Sequence, residues 1–399
     1  MKDPRIAFGG LLAVVALGVG GACGSSNGSP RDAGTGTGGT AGQLGGDAGH
    51  DGMDAAAGSK QTGGTGGGAP DSGAEPDASV PTDCPLGPGG ESTDLRCSGL
   101  YVDWAAKAIA TGVRQYDPGL HLWSDGASKT RWIYLPPGTQ IDSSNMDQWT
   151  FPNGTKIWKE FDLDSARVET RLLWKRANGT WYMTTYRWSA DESTAPELTT
   201  GEMNVGGSTY QIPAQSDCSA CHAGRWDMVL GFDAIALSTT AATGVTMATL
   251  TAGNLLTAPP ATPLTIPGDA ETAAALGYLH VNCGSPCHNS DGGQAGSSGL
   301  LMRLNAAALG SVAATDTWTT GMGVNSSFTI PGVTNAEVFA PCDPSSSAAY
   351  YRMSVRDGVD GIGTQQQMPP IITHEPDTAG LATIAAWLND QPSCAQAAP

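Results

Sequence analysis

Basic residues are scarce in this chain. Only 20 Lys and Arg stand against 38 Asp and Glu in 399 residues, a formal charge of −18 at pH 7. That shortage argues against nucleic acid or anionic lipid surfaces as partners, because both require a basic face. An acidic face would suit a basic protein partner, although solubility alone accounts for the charge. Long apolar runs are also missing. The most apolar stretch, residues 6–22, is glycine-broken and too short for a comfortable membrane span of about 20 strongly apolar residues. No catalytic triad, phosphate loop or carboxylate pair in a persuasive context occurs, and Asp125 in Ser124-Asp125-Gly126 reads as a turn residue. Aromatics make up 7% and hydrophobic residues 40%, so part of the chain can bury a core. The length suits two domains at roughly 100–200 residues each.

What the chain does have begins at its N-terminus. Lys2 and Arg5 precede the apolar run, the pattern of a secretory signal over residues 1–22. The run ends at Val19-Gly20-Gly21-Ala22-Cys23, and small residues before a cysteine resemble the lipobox of bacterial lipoproteins, with Cys23 the lipid site. An ordinary signal peptide cut nearby is the plainer alternative, and either way the chain is expected to leave the cytoplasm. Residues 23–83 are dominated by Gly, Ala, Ser, Thr and Asp. They bury too little apolar surface to offset ordering entropy, and so are expected to form a disordered tether, His50 included.

From 84 to 210 the signals are those of strands. Residues 168–175 alternate, Asn178-Gly179 follows, and a second β-rich run begins at Trp181, which together predict a hairpin. Pro136-Pro137-Gly138 and Pro152-Asn153-Gly154 mark further turns. The expected architecture is an antiparallel β-sandwich or jelly roll. Over 211–399 short helices and long loops take over. Leu276, Leu279, His280 and Cys283 fall on one helical face, as do Leu381, Ile384, Ala385 and Leu388. The fold class is therefore α+β and multidomain, with a mainly α-helical domain at the C-terminus.

The chemistry is carried by cysteine. Cys218-Ser219-Ala220-Cys221-His222 is a C-x-x-C-H haem-attachment sequence. Two thiols at that spacing reach the two vinyl groups on one porphyrin edge, and the adjacent histidine lies under the iron. A plain disulfide or a zinc half-site is the alternative. Cys283-Gly284-Ser285-Pro286-Cys287-His288 repeats the motif with one extra residue, which a tight Gly-Ser-Pro bend could absorb. Met368, in Met368-Pro369-Pro370, follows His288 by 80 residues, and its thioether is a candidate distal ligand for the second haem. Otherwise it fills core space. For the first haem His280 is the favoured distal candidate, with a satisfied buried histidine as the alternative. His374, His121 and Met247 remain in reserve, and Met228 is too close in sequence to His222. Four cysteines are left, and proximity favours Cys84–Cys97 and Cys342–Cys394 disulfides.

Tyr278-Leu279-His280-Val281-Asn282-Cys283, Cys287-His288-Asn289, Leu122-Trp123-Ser124-Asp125-Gly126-Ala127, Leu135-Pro136-Pro137-Gly138 and Gln367-Met368-Pro369-Pro370 together resemble bacterial dihaem c-type cytochrome lipoproteins. The similarity runs over most of residues 95–390. It implies two covalent c haems, one at Cys218, Cys221 and His222, the other at Cys283, Cys287 and His288 with Met368 distal. The expected function is electron transfer between redox partner proteins of the periplasm or outer membrane, with the N-terminal lipid on a membrane. A dihaem peroxidase with one five-coordinate iron is the alternative. A third reading is a β-domain that binds a partner through a patch of Trp123, Trp132, Trp149, Trp174 and Trp181.

Overall fold

The computed structural model describes residues 83–357 and 366–394. The signal segment, Cys23 and the tether up to residue 82 lie outside the described residues. No described helix is long and apolar enough to cross a membrane.

Strands β1 (Tyr101–Asp103) and β2 (Ala108–Ile109) form a small antiparallel ribbon. The main sheet contains β3 (Val113–Asp117), β4 (Ser128–Tyr134), β5 (Lys156–Leu163), β6 (Ala166–Lys175), β7 (Trp181–Arg187) and β8 (Thr243–Gly244). Its order is β7-β6-β5-β4-β3-β8, all antiparallel, so β3 to β7 make a meander and β8 returns to the free edge of β3. The β6–β7 hairpin turns at Asn178-Gly179, as its sequence predicts. Gly179 adopts φ +82°, and the Arg176 N–H donates to the Thr180 carbonyl at 2.8 Å.

In place of the sandwich or jelly roll that the strand signals suggest, the described strands form one six-stranded sheet and the two-stranded ribbon. Alternation along a strand records that a face is buried, not what buries it. One face carries Trp132, Tyr134, Trp158, Leu172 and Tyr186 and packs on Leu95, Leu100 and Trp188. The other carries Ile133, Ile157 and Leu173 and is covered by Val229, Phe232, Val245, Met247 and Leu250, from loops and short helices. Each fully buried side chain of this kind contributes about 1.5–3 kcal/mol. Residues on both sides of position 210 thus share one core. Of the five tryptophans of the proposed patch, Trp132 and Trp149 are buried and Trp123, Trp174 and Trp181 half-buried; Trp132 and Trp174 pack into the core on one sheet face and Trp149 and Trp181 into the core on the other, so the five do not make one patch.

The helices are α1 (Cys218–His222), α2 (Met247–Ala252), α3 (Ala270–Leu279), α4 (Asp316–Gly321), α5 (Ala348–Ser354) and α6 (Thr378–Asn389). Asp269 caps α3 and Asp377 caps α6, each accepting a main-chain N–H of the first turn. The two helices pack through Ala275, Leu279, Ile384, Trp387 and Leu388, with Met302 and Phe339 completing the core. Gly380 permits their close approach, since a Cβ there would lie 2.4 Å from the Tyr278 ring. Cys84–Cys97 and Cys342–Cys394 are disulfides, with the second tying the end of the described chain to the loop before α5.

Candidate functional site

Cys218, Cys221, Cys283 and Cys287 are the unbridged cysteines among the described residues. The first motif is one α-helical turn, placing His222 four residues after Cys218 on the same side. The second differs in a way that explains its extra residue. Helix α3 runs into a π-helical turn at His280–Gly284. There the Ser285 N–H donates to the His280 carbonyl at 2.7 Å, and the His288 N–H to the Cys283 carbonyl at 2.8 Å. Both bonds span five residues rather than four. His288 therefore stands one wide turn after Cys283, much as His222 stands one ordinary turn after Cys218.

Each motif histidine is oriented by a main-chain carbonyl. His222 Nδ1 lies 2.5 Å from the Met228 carbonyl and His288 Nδ1 lies 3.1 Å from the Leu300 carbonyl. A carbonyl only accepts, so Nδ1 carries the proton and Nε2 is left as the lone-pair donor, the arrangement found around metal-ligating histidines. Met228 adopts φ +60° to present that carbonyl, an uncommon backbone conformation for a residue with a side chain. Burial, reinforced by Lys159, holds the His222 imidazole down to about 3, and burial lowers His288 as well. Both rings are neutral at pH 7, as metal ligation requires. Burial likewise pushes the Cys283 and Cys287 thiols up to about 12.

A pH dependence follows for protein made without haem. Unfolded His222 takes a proton near pH 6.5, whereas folded His222 does not until about 3. Stability should fall as pH drops through that window, by up to roughly 1.4 kcal/mol per pH unit. Urea midpoints at pH 7 and pH 5 measure this, and the His222→Gln variant should show a flatter dependence.

Two cavities receive these groups. The first is a slot of about 170 Å³ lined by Cys218, Cys221 and His222. The second is wider, about 710 Å³, and lined by Cys283, Cys287, His288 and Met368. Met368 thus shares a cavity with His288, as its sequence reading requires. Asn282, Cys287, Pro369 and Pro370 line both cavities and so form a common wall. The motifs themselves abut. A Cβ on Gly224 would lie 2.0 Å from the Pro286 carbonyl oxygen, and Gln294 Nε2 donates to the Ala220 carbonyl at 3.2 Å. Gly224→Ala should therefore cost about 1–3 kcal/mol by overpacking against main chain. An unmoved denaturation midpoint would mean the motifs are not in contact.

The segment carrying Met368 is held from several sides. The Met368 N–H donates to the Arg352 carbonyl at 2.7 Å, and Gln367 Nε2 donates to the carbonyls of Pro369 and Thr373 at 3.1 and 3.2 Å. Asp125 does more than turn the chain. Its carboxylate accepts the N–H groups of His374 at 2.9 Å and Glu375 at 3.2 Å. Asn282 then links this loop to the second motif, accepting the Trp123 N–H at 2.7 Å and donating to the His121 and Tyr278 carbonyls at 3.1 Å.

His280 is not brought to the first cavity. It is 2% exposed, its Nδ1 accepts the Leu304 N–H at 3.0 Å, and its Nε2 lies 3.5 Å from the Asp233 carboxylate. It pins α3 to its surroundings, which corrects its reading as a distal ligand. His121 pairs with Asp117, His374 with Gln211, and Met247 is in the core beneath the sheet, so none of these lines the slot either. Met183 of β7 does line it, and sequence reading missed that residue because it sits in an ordinary strand pattern. No family model, curated protein or solved structure matches the chain.

Proposed function

We propose that the chain is an exported, lipid-anchored c-type cytochrome with two covalent haems, passing electrons between redox proteins of the periplasm or outer membrane. In this reading residues 211–399 form its haem-carrying, cytochrome c-like part. The observation that carries the proposal is the pairing of two cysteine-histidine motifs, each with unbridged thiols and a free histidine Nε2 facing a cavity, across one shared wall. Zinc would need four closed ligands, and among the described residues neither motif brings even three ligand atoms together. Bound haem would supply a reversible one-electron couple. The chain's own residues fix the proximal rings, hold the Met368 thioether on a braced loop, and keep the two sites in contact.

Spectroelectrochemical titration of the full-length holoprotein tests this. Two one-electron steps, with low-spin iron at the second haem, are the expected result. The absence of any haem couple would overturn it. A peroxidase-like enzyme is the second reading, favoured by the fact that none of the histidines named as distal candidates lines the first cavity. High-spin iron with turnover of peroxide would select it.

A further inference from the structure

The first cavity has an unexplained wall. Arg131 on β4 is the cross-strand partner of Lys159 on β5, and Lys159 is the partner of Arg171 on β6. Lys129, two residues before Arg131, shares their face. All four line the slot that also holds His222. Further along the same face the sheet is apolar, with Ile133, Ile157 and Leu173 in the core. A row of like charges here opposes folding twice. Direct cross-strand repulsion is unfavourable, and each buried ion costs several kcal/mol in lost hydration.

The protein's own groups do not balance the row. Arg171 is met by Glu169 at 2.6 Å. Lys129 and Lys159 donate to neutral carbonyls, those of Leu122 and Leu230 respectively. Arg131 is 4% exposed, and its guanidinium makes no hydrogen bond or ion pair with any described residue. Asp117, the acid whose charge reaches it, is taken up by His121 at 2.7 Å and the Gly119 N–H at 2.9 Å. Asp217 is the one carboxylate that lines the slot, and it accepts from the Ala214 N–H and the Ser216 hydroxyl. A buried guanidinium without a partner, beside Arg171 and two lysines whose ammonium forms burial disfavours, is the signature of a site built for negative charge.

We propose that Lys129, Arg131, Lys159 and Arg171 form an anion site in the wall of the first cavity, with a carboxylate-type anion as ligand. Two sources share that chemistry: the propionates of a haem attached at Cys218 and Cys221, and a free small carboxylate entering the slot. The first source rests on the function proposed above; the second does not.

The test uses full-length holoprotein, Arg131→Met and the conservative Arg131→Lys. Haem per chain, the potential of the first haem, and acetate binding by calorimetry are read on each. If propionates are the ligand, acetate does not bind. Arg131→Met then shifts the first haem about tenfold toward the ferric form, roughly 59 mV lower for a one-electron couple, and Arg131→Lys restores most of it. If a free anion is the ligand, acetate binds the parent protein saturably and Arg131→Met weakens it about tenfold or more, about 1.4 kcal/mol. Should Arg131→Met fail to fold, Lys129→Met carries the same readouts. An unmoved potential together with no acetate binding overturns the site. Absence of haem at Cys218 and Cys221 would sink the functional reading alone, and acetate calorimetry would then decide the anion site by itself.

Discussion

If the chain carries the two haems proposed above, replacing Met368 by alanine is expected to lower the potential of the second by about a hundred millivolts or more, within the roughly 0.8 V that axial ligands span. A thioether is a soft ligand that favours ferrous iron, so its loss favours the ferric state. The structure isolates the effect to the side chain. Met368 lines the same cavity as Cys283, Cys287 and His288, while its main chain is held by the Arg352 carbonyl and its neighbours by Gln367 and Asp125. Those bonds survive the substitution, so the loop should stay in place when the sulfur is gone. Spectroelectrochemistry of the variant is the measurement, and an unchanged potential would remove Met368 from the coordination of iron.

Asp227→Ala is expected to have the largest effect on stability. This carboxylate accepts from Lys175 Nζ at 2.7 and 2.9 Å, from Trp181 Nε1 at 2.9 Å and from the Phe151 N–H at 2.6 Å. The Lys175 side chain is only 6% exposed, so alanine leaves a buried ammonium, an indole N–H and a main-chain N–H without their acceptor. Breaking a buried pair from one side costs about 3–5 kcal/mol, which lowers the melting temperature by about 5–8 °C in a unit of this size. The same residue joins the β6–β7 hairpin to the segment between Cys218-Ser219-Ala220-Cys221-His222 and the core beneath the sheet. Circular dichroism melts measure the loss. A shift of only a degree or so would mean that the carboxylate is solvated rather than locked.

Much of the local structure was legible in the residues. Asn178-Gly179 between two alternating runs specifies a hairpin because Gly179 supplies the positive φ that a short connection between twisted strands needs. The helices at 270–279 and 378–389 follow from apolar periodicity and their aspartate caps, and the two disulfides follow from proximity among the leftover cysteines. The layer against the sheet was not legible, because loops and a second sheet bury a strand face equally well. His280 shows a related limit: its spacing places it on a buried helical face, but that face meets Asp233 and the Leu304 N–H rather than a cavity. The π turn was hidden too, since hydrogen bonds spanning five residues leave no compositional trace. Arg131, Lys159 and Arg171 fall one pleat along from Ile133, Ile157 and Leu173 on the same sheet face, so the alternation that marks a buried face also marks these charges.

The measurement that bears most directly on the account is a pyridine haemochrome assay on full-length protein produced with a c-type maturation system, giving haem per chain. A value near two is expected, one at Cys218 and Cys221 and one at Cys283 and Cys287. A value near one would remove haem from the five-residue turn. A value of zero would return both cysteine pairs to other chemistry and contradict the proposal as a whole.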